Sequence, residues 1–300
     1  MSIIKRPDYI VRQMALYDND QVLDILSSLG ITVGNHTNIT MLKIDSNCLF
    51  VAEDTDTGQI LGVCSGFNIT RDLAFVGEYA VVPKYRKLGI GHSLWKRCLE
   101  HCSKRNCAIF PEPKTIATFK EKSGFQVIPA RRMIAYSGIP QLFALNKYID
   151  YCDVDYITVH NLVDVIEYDE QICGINRAQF LEMAIAESGT ISLLARYIEN
   201  GYIAGYAIFK TTNDNSISPQ PLYANSDDIA EALTYNGVIK FVGFDGLYLE
   251  AWDCNDGAQY LAEKLGLSVR RRLPIMFTRE DLSANYKNIY FIGPSGFYPF

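Results

Sequence analysis

The feature that most constrains the fold of this 300-residue chain is a pair of ungapped matches between its two halves. Residues 49–63 (LFVAEDTDTGQILGV) align with residues 192–206 (SLLARYIENGYIAGY) at an offset of 143 residues. Residues 121–137 (EKSGFQVIPARRMIAYS) align with residues 263–279 (EKLGLSVRRRLPIMFTR) at an offset of 142 residues. Independent matches at nearly one offset indicate an internal duplication, which predicts two units of similar fold.

Within the first half, apolar periodicity and glycine-containing turns predict alternating strands and helices. In chain order the predicted elements are a strand (9–14), a helix (19–28), a hairpin (about 40–67), a strand (73–81), a helix (91–103), a strand (107–110), a helix (114–122) and a strand (125–136). Hairpins that precede crossover helices are typical of the mixed α/β (α+β) fold class. We therefore predict two tandem domains, residues 1–148 and residues 149–300, each a mixed, mostly antiparallel sheet flanked by helices.

The overall composition is that of a packed protein, with 48% hydrophobic and 21% charged residues. The formal net charge of −6 argues against a nucleic-acid or anionic-membrane binder, because such binding depends on basic patches. No stretch approaches eighteen consecutive apolar residues, and the first residues lack the apolar core of a secretory leader. We therefore expect a cytoplasmic protein with neither a nucleic-acid nor a membrane partner, and its oligomeric state stays open.

The eight cysteines are scattered without a CxxC pair, and cytosolic thiols stay reduced, so small core residues are expected. One short region gathers histidines and cysteines, namely His92, Cys98, His101, Cys102 and Cys107. Their spacing matches no zinc framework, so buried thiols and solvated histidines are favoured over a zinc site. We therefore expect no metal ion.

The segment VVPKYRKLGIGHSL, residues 81–94, places a glycine-rich turn directly before an amphipathic helix. Gly89 and Gly91 lack a Cβ atom, so a ligand can approach the unpaired N–H groups and the positive dipole end of the helix. Such a turn favours anions, and phosphate above all. A Walker loop requires Gly-Lys-Ser/Thr and a dinucleotide fingerprint requires a third glycine, and this segment has neither pattern.

The same segment resembles the pyrophosphate-binding signature of the GNAT acetyltransferase superfamily, Arg/Gln-x-x-Gly-x-Gly/Ala. Arg86, Gly89 and Gly91 carry the match. The preceding strand, the long helix and the later FKEKSGF, residues 119–125, follow in the order of that family. The resemblance implies that the first half has the GNAT fold.

The resemblance also implies acetyl-CoA as the co-substrate. Its pantetheine arm is then expected beside the strand that ends at Val81 and Val82. Its pyrophosphate is expected in a cradle of backbone amides from Arg86, Lys87, Leu88, Gly89, Ile90 and Gly91. The alternative is a tight glycine turn that only packs the strand against the helix.

At the corresponding place the second half reads ANSDDIAEALTYNG, residues 224–237, without a glycine loop. Ser226 is the expected N-cap, and Asp227 and Asp228 in the first turn repel a pyrophosphate. We therefore expect the second half to keep the fold and to lack the cofactor site, with a divergent second site as the alternative, so that one acyl-CoA binds per chain. The order of its segments resembles the carboxy-terminal domain of tandem GNAT proteins of the YitH type.

Acetyl transfer to an amine requires a base for the amine, a donor to the oxyanion and an acid for the departing thiolate. Glu78 is the candidate base, because a carboxylate in an apolar strand is costly unless it is functional or paired; a structural ion pair or a helix-cap contact is the alternative. The resemblance implies that the main-chain N–H of Val81 or Val82 is the oxyanion donor. Lys120 occupies the position at which many GNAT enzymes have a tyrosine as the acid. The candidates for the acid are then water, another tyrosine or Lys120 itself. For Lys120, a solvated lysine on the helix face is the favoured interpretation.

Arg131, Arg132 and Tyr136 are expected near the substrate end of the sheet and are candidates for meeting an acidic substrate group. The RRR at residues 270–272 in the matching strand favours a repeated surface feature instead. We expect transfer of an acetyl group from acetyl-CoA to a primary amine of a small molecule, with the second half as a wall of the acceptor pocket. The acidic net charge favours a cationic amine. The alternatives are a catalytically weak acyl-CoA-binding or regulatory protein and a protein N-acetyltransferase.

Overall fold

Two mixed, mostly antiparallel sheets form the framework of the computed structural model, which describes residues 7–293. Its strands are, in chain order, β1 (Tyr9–Gln13), β2 (Leu49–Asp54), β3 (Ile60–Asn68), β4 (Leu73–Val81), β5 (Asn106–Ile109), β6 (Arg132–Gly138), β7 (Cys152–Tyr156), β8 (Ile191–Tyr197), β9 (Ile203–Thr211), β10 (Ser216–Ala224), β11 (Gly246–Trp252), β12 (Ser268–Pro274), β13 (Met276–Phe277) and β14 (Ile289–Phe291). The first sheet has the order β1-β2-β3-β4-β5-β13, and the second has the order β12-β6-β11-β10-β9-β8-β7, with β14 paired to β10. The pairs β4–β5 and β10–β11 are parallel, and the other pairs of the described chain are antiparallel.

Eight α-helices of the described residues pack around these sheets. They are α1 (Asn19–Ser28), α2 (Thr37–Ile44), α3 (Ile90–His101), α4 (Ile116–Ser123), α5 (Leu162–Cys173), α6 (Ala178–Ile185), α7 (Asp227–Val238) and α8 (Asp256–Lys264). In α3 the buried stripe is Ile90, Leu94 and Cys98, at the four-residue spacing of a single helix face. Across residues 7–293, no helix combines the length and the apolarity needed to cross a bilayer.

The predicted duplication is visible in the strands. Strands β3 and β4 lie at residues 60–68 and 73–81, and strands β9 and β10 lie 143 residues later, at 203–211 and 216–224. The β2–β3 and β8–β9 hairpins each turn through a glycine of positive φ, Gly58 at +71° and Gly201 at +73°, as a hairpin of this kind requires. The predicted fold class, two tandem mixed α/β units with mostly antiparallel sheets, is confirmed.

Two predicted elements were wrong in extent. The hairpin predicted from about residue 40 begins at Leu49, because residues 37–44 form α2, whose packing against α6 overrides the strand propensity of this Thr- and Ile-containing run. The strand predicted at 125–136 is β6 alone, residues 132–138; before it, Val127 makes only an isolated bridge, and Pro129 lacks the N–H that a strand ladder needs.

The two halves exchange one strand each. Strand β6, from the first half, lies between β11 and β12 in the second sheet. Strand β13, from the second half, pairs with β5 in the first sheet, and Phe277 also exchanges backbone hydrogen bonds of 2.9 and 3.0 Å with Val127. The place along the chain where the halves divide, predicted at residue 148, stays a prediction, but the sheets themselves extend across it.

The exchanged strands are part of the core. Met133, Ile134 and Ala135 of β6 are fully buried, and so are Met276 and Phe277 of β13. An apolar strand whose sheet partners are in the other half cannot bury this surface within its own half. The two halves are therefore expected to depend on each other for folding.

We expect residues 1–148 and residues 149–300, expressed as separate chains, each to aggregate alone and to form a one-to-one complex when co-expressed. Each fragment alone exposes an unpaired sheet edge and an apolar strand, and these become paired only in the complex. Affinity capture through a tag on one fragment, followed by size-exclusion chromatography, measures the outcome. A fragment that is monomeric and unfolds cooperatively by itself would contradict the prediction.

Candidate functional site

Strands β4 and β5 diverge and open a gap in the first sheet. Their parallel ladder pairs only residues 73–75 with residues 106–108, while β4 continues to Val81. Two adjoining cavities lie at the gap, a smaller one of about 220 Å³ and a larger one of about 980 Å³. Tyr79, Glu112, Thr115 and Arg271 line both, so the two cavities adjoin.

The larger cavity brings together several of the residues predicted to bind the cofactor. Lys114 and Arg271 add positive charge to the lining. Val82, Leu88 and Ile90 do not line it; the Ile90 side chain is fully buried in the core under α3. The predicted residues in the lining are Val81, Arg86, Lys87, Gly89 and Gly91.

The N-terminus of α3 faces this cavity through the glycine turn. Gly89 is the N-cap residue, with φ at +90°, and the first intrahelical bond runs from the Ser93 N–H to the Gly89 oxygen at 3.1 Å. The amides before Ser93 are those that a helix start leaves unpaired, so they are available to an anion. A Cβ atom on Gly91 would lie 2.4 Å from the Tyr79 hydroxyl, so a larger residue there would require the Tyr79 side chain to move.

The two candidate oxyanion donors differ in their hydrogen bonding. The Val82 N–H donates to the Leu61 oxygen at 2.9 Å, so it is occupied within the sheet. Successive N–H groups of an extended strand point in opposite directions. The Val81 N–H therefore points away from β3 and into the gap, which favours Val81 of the two alternatives.

Glu78 lies on a bulge of β4 and lines the smaller cavity. The register shifts between Ala80, which faces Val63, and Gly77, which faces Ser65, and the extra residue Glu78 has φ at +46°. Positive φ is unfavourable for a residue with a Cβ atom, and residues held in such strained conformations cluster at active sites. The bulge directs the Glu78 carboxyl inward, where only 4% of the residue is exposed.

The environment of Glu78 is apolar and holds one close polar partner. Burial raises the pKa of its carboxyl from the ordinary 4.5 to about 8. With its amide nitrogen turned toward the carboxyl, Asn38 of α2 donates to both oxygens at 3.0 and 3.2 Å. No cation pairs with Glu78 among the salt bridges of the described residues, so the structural ion pair considered as the alternative is not formed.

Two family models match the chain in tandem. The first, described as acetyltransferase (GNAT) family, matches residues 21–125, and the second, described as acetyltransferase (GNAT) domain, matches residues 165–291. The chain belongs to the GNAT acetyltransferase superfamily. It carries two GNAT domains in tandem, and the more specific likeness to YitH-type proteins stays a prediction.

Curated relatives match over part of their length. The chain is 27% identical over 168 residues to holothin acyltransferase of Pseudoalteromonas sp. (strain SANK 73390), which covers 55% of this chain and 53% of the relative. It is 20% identical over 203 residues to the uncharacterized protein F36G3.2 of Caenorhabditis elegans, covering 65% and 63% of the two chains. The match therefore spans between half and two thirds of these relatives.

Solved structures match over nearly the whole chain and support the tandem GNAT fold. A candidate acetyltransferase from Pyrococcus horikoshii superposes with a TM-score of 0.74 at 17% identity and covers 99% of this chain and 98% of its own. A tandem GNAT protein from the clavulanic acid biosynthesis pathway gives a TM-score of 0.64 at 16% identity, with 90% and 98% covered. A GNAT protein from Sphaerobacter thermophilus gives 0.59 at 14% identity, with 97% and 98% covered.

The second GNAT domain has the same gap, but this gap is filled. Strands β10 and β11 pair only at residues 216–217 and 246–247, and β14 then pairs with β10 while the Ile292 N–H donates to the Glu250 oxygen at 2.8 Å. At the start of α7, Asp227 accepts a hydrogen bond from Tyr290. Ser226 is the N-cap residue, as predicted, but its hydroxyl makes no capping bond. The sequence predicted the repelling carboxylates and missed the strand that fills the gap.

Of the other predicted site residues, Lys120 and Arg131 lie outside the two cavities, and Arg271 lines both of them. Lys120 is exposed on α4 and does not line either cavity, which favours the solvated-lysine interpretation. Arg131 forms an ion pair with Asp281 at 2.7 Å, and its guanidinium lies 4.4 Å from the centre of the Tyr286 ring, so it is occupied outside the cavities. Arg271, one of the RRR triplet interpreted as a surface feature, lines both cavities instead. The strand exchange places Arg271 at the cavities, and the sequence pattern does not reveal this exchange.

The histidine and cysteine cluster is used structurally. His101 Nε2 lies 2.8 Å from both the Asp45 carboxylate and the Asn68 amide. Cys98 and Cys102 are fully buried in the core beneath α3. Within residues 7–293, no group of three or more histidine, cysteine, aspartate or glutamate side chains is arranged to hold a metal ion.

We expect Glu78→Gln to change the pH dependence of stability in a defined direction. Because the pKa of Glu78 is about 8 in the folded protein and 4.5 ordinarily, the folded state keeps a proton that the unfolded chain releases between these values. The stability tied to this proton is fully present below pH 4.5 and is lost as pH rises to about 8. The free energy of unfolding of the variant, relative to wild type, should therefore rise by up to roughly 5 kcal/mol between about pH 5 and about pH 9.

Urea unfolding of both proteins at the two pH values measures this difference. Glu121→Gln, which makes the same change at an exposed glutamate of α4, serves as the matched control. An equal pH dependence in wild type and Glu78→Gln would show that Glu78 does not hold a proton in the folded state.

Proposed function

We propose that the protein is an N-acetyltransferase that moves an acetyl group from acetyl-CoA to a primary amine of a small molecule. The observation that carries the proposal is a buried carboxyl, Glu78, in a cavity that adjoins the cleft of the glycine turn and shares lining residues with it. Membership of the GNAT superfamily and the likeness to an acyltransferase support the transfer of an acyl group. The acetyl group and the amine acceptor are inferred from the site.

The larger cavity fits the phosphate end of acetyl-CoA. Its volume of about 980 Å³ lies in the range of cofactor sites, and its lining combines a helix N-terminus with basic side chains. Arg86 donates from Nε to the Val81 oxygen at 3.0 Å and so fixes the turn against the end of β4. When bound, acetyl-CoA supplies the thioester carbonyl that the amine attacks.

The residues of the gap supply the three functions that the reaction needs. The Glu78 carboxylate takes the proton of the amine, and Asn38 holds that carboxylate in place. The Val81 N–H donates to the developing oxyanion. The Tyr79 hydroxyl, which lines both cavities, gives a proton to the departing thiolate; burial raises the pKa of Tyr79 to about 12, so the phenol keeps its proton at neutral pH.

The size and walls of the smaller cavity favour a small acceptor and a short acyl group. Its volume is about 220 Å³, roughly seven times the share of one water in the liquid. Trp95, Phe110 and Phe119 restrict one side, and Arg271 and Leu273 of the second domain form another. An extended peptide requires a long open groove, which argues against the protein N-acetyltransferase alternative.

The second candidate function is a catalytically weak acyl-CoA-binding or regulatory protein. It is favoured by Lys120 at the position of the usual tyrosine acid and by the protonated state of Glu78 at neutral pH. Binding of acetyl-CoA without turnover would distinguish it from the transferase.

We expect thiol release from acetyl-CoA with one or more members of a panel of amino acids, polyamines, arylalkylamines and peptide amines. Gly89→Glu should abolish both this release and acetyl-CoA binding, because it puts a carboxylate against the pyrophosphate and strains a backbone of positive φ. Gly58→Glu is the matched control, since Gly58 has φ at +71° and open space around it. Equal activity of Gly89→Glu and Gly58→Glu would refute the cofactor site, and tight binding without release would support the regulatory protein.

We expect the acid and base roles to appear in pH–rate profiles. The wild-type kcat/KM should rise with pH and level off above about pH 8, where Glu78 of the free enzyme is ionised, and Glu78→Gln should lower kcat by about 10² to 10⁴. Tyr79→Phe keeps the ring against Trp95, at 5.5 Å between centroids, and should lower kcat by about 10-fold or more with little change in acetyl-CoA binding. A Tyr79→Phe variant with wild-type kcat would show that water, and not Tyr79, gives the proton to the departing thiolate.

A further inference from the structure

Arg271 is a cation in the acceptor cavity that comes from the other domain. It lies on β12 of the second sheet, and it lines the smaller cavity together with Glu78 of β4. We propose that the amine acceptor carries a carboxylate and that Arg271 binds it, so that the substrate class is amino acids and their close analogues. This proposal rests on the proposed function and specifies its acceptor.

Hydrogen bonds hold the Arg271 guanidinium in place but do not use all of its N–H donors. Its Nη2 donates to the Tyr248 hydroxyl at 3.1 Å and to the Glu250 carboxylate at 3.2 Å, and both partners are only 3% exposed. Both of the hydrogen bonds that the described residues give the guanidinium use Nη2, whereas a guanidinium has five N–H donors. The remaining N–H donors of the guanidinium are therefore available to a carboxylate, which can accept two of them in a bidentate geometry.

The charges around the smaller cavity fit a substrate that carries both signs. Its charged lining residues are Glu78, Glu112 and Arg271. An ammonium group is favoured near the carboxyl groups, and an anion is favoured near the guanidinium. The acidic net charge of the chain favours a cationic amine, but the local arrangement indicates an amine that also has an anionic end.

Arg271 also lines the larger cavity, so the alternative is a contact with the phosphates of the cofactor. The residues of the glycine turn, Arg86, Lys87 and Gly89, line the larger cavity and not the smaller one. Arg271 shares the smaller cavity with the candidate base, where the acceptor has to react. This position favours the acceptor over the phosphates.

The test compares each amino acid with the amine that lacks its carboxylate, and with the matching aminoalkylphosphonate, by thiol release from acetyl-CoA. The variants are Arg271→Met and Arg271→Lys, and Arg272→Met is the matched control because it removes the same charge from the next, exposed position of β12. Titration calorimetry gives the acetyl-CoA affinity of every variant. Because Arg271→Met removes the ion pair that Arg271 forms with the buried Glu250, Arg271→Met/Glu250→Gln is made alongside it, with Glu250→Gln alone as its reference.

We expect wild type to prefer the amino acid over its decarboxylated amine in kcat/KM by about 10- to 100-fold, the worth of a charge-assisted hydrogen bond. Arg271→Met should lose this preference through the KM of the acceptor, Arg271→Lys should keep part of it, and Arg272→Met should match wild type. The acetyl-CoA affinity should stay within about two-fold in all of them.

Equal turnover of the decarboxylated amines by wild type would overturn the proposal, and so would an Arg271→Met variant that loses acetyl-CoA affinity while keeping its acceptor preference. A preference for the phosphonates would overturn the choice of a carboxylate. If no amine is turned over, the proposed function has failed, and calorimetric titration of amino acids into the CoA-saturated protein then decides the role of Arg271. Carboxylate-dependent binding that disappears in Arg271→Met supports it, and the absence of such binding overturns it.

Discussion

The exchange of β6 and β13 between the sheets determines where the walls of the site lie. Strand β12 ends at Pro274 in the second sheet, and β13 begins at Met276 in the first, so the chain passes from one sheet to the other within two residues. Because β13 is held against β5 by backbone pairing, the residues just before it must lie beside the gap between β4 and β5. Arg271 and Leu273 line the smaller cavity for this reason.

The two domains make opposite use of the same opening. When parallel strands diverge, the facing N–H and C=O groups lose their partners, and burying them unpaired costs free energy. In the second domain, β14 enters the gap and supplies partners through Leu222 and Phe291. In the first domain the gap stays lined by Val81 and the glycine turn, and a ligand can supply what β14 supplies in the other. The difference is a property of the segments around the gap and not of the repeated fold.

Sequence patterns predicted what depends on neighbouring residues. The turn at Gly89 and Gly91 and the unusual carboxylate at Glu78 are each readable within a few residues, and the duplication is readable from the matching segments of the two halves. The strand exchange was not predictable, because the apolar pattern of β6 shows that the strand is buried but not that its partners are β11 and β12. The role of Arg271 was missed for the same reason, since an RRR triplet shows its charge but not the surface that it faces.

The pKa of Glu78 connects acceptor binding to the readiness of the base. In the unliganded site, burial keeps the carboxyl protonated at neutral pH, with Asn38 as its close polar partner. An ammonium group that enters the same cavity favours the ionised carboxylate, because an opposite charge nearby lowers the pKa of a carboxyl group. The base is then ionised when an amine is present, and the ammonium in turn is held where its proton can be taken. A carboxylate at the other end of the acceptor, bound by Arg271, sets which amine is placed there and gives the second domain a part in choosing the substrate.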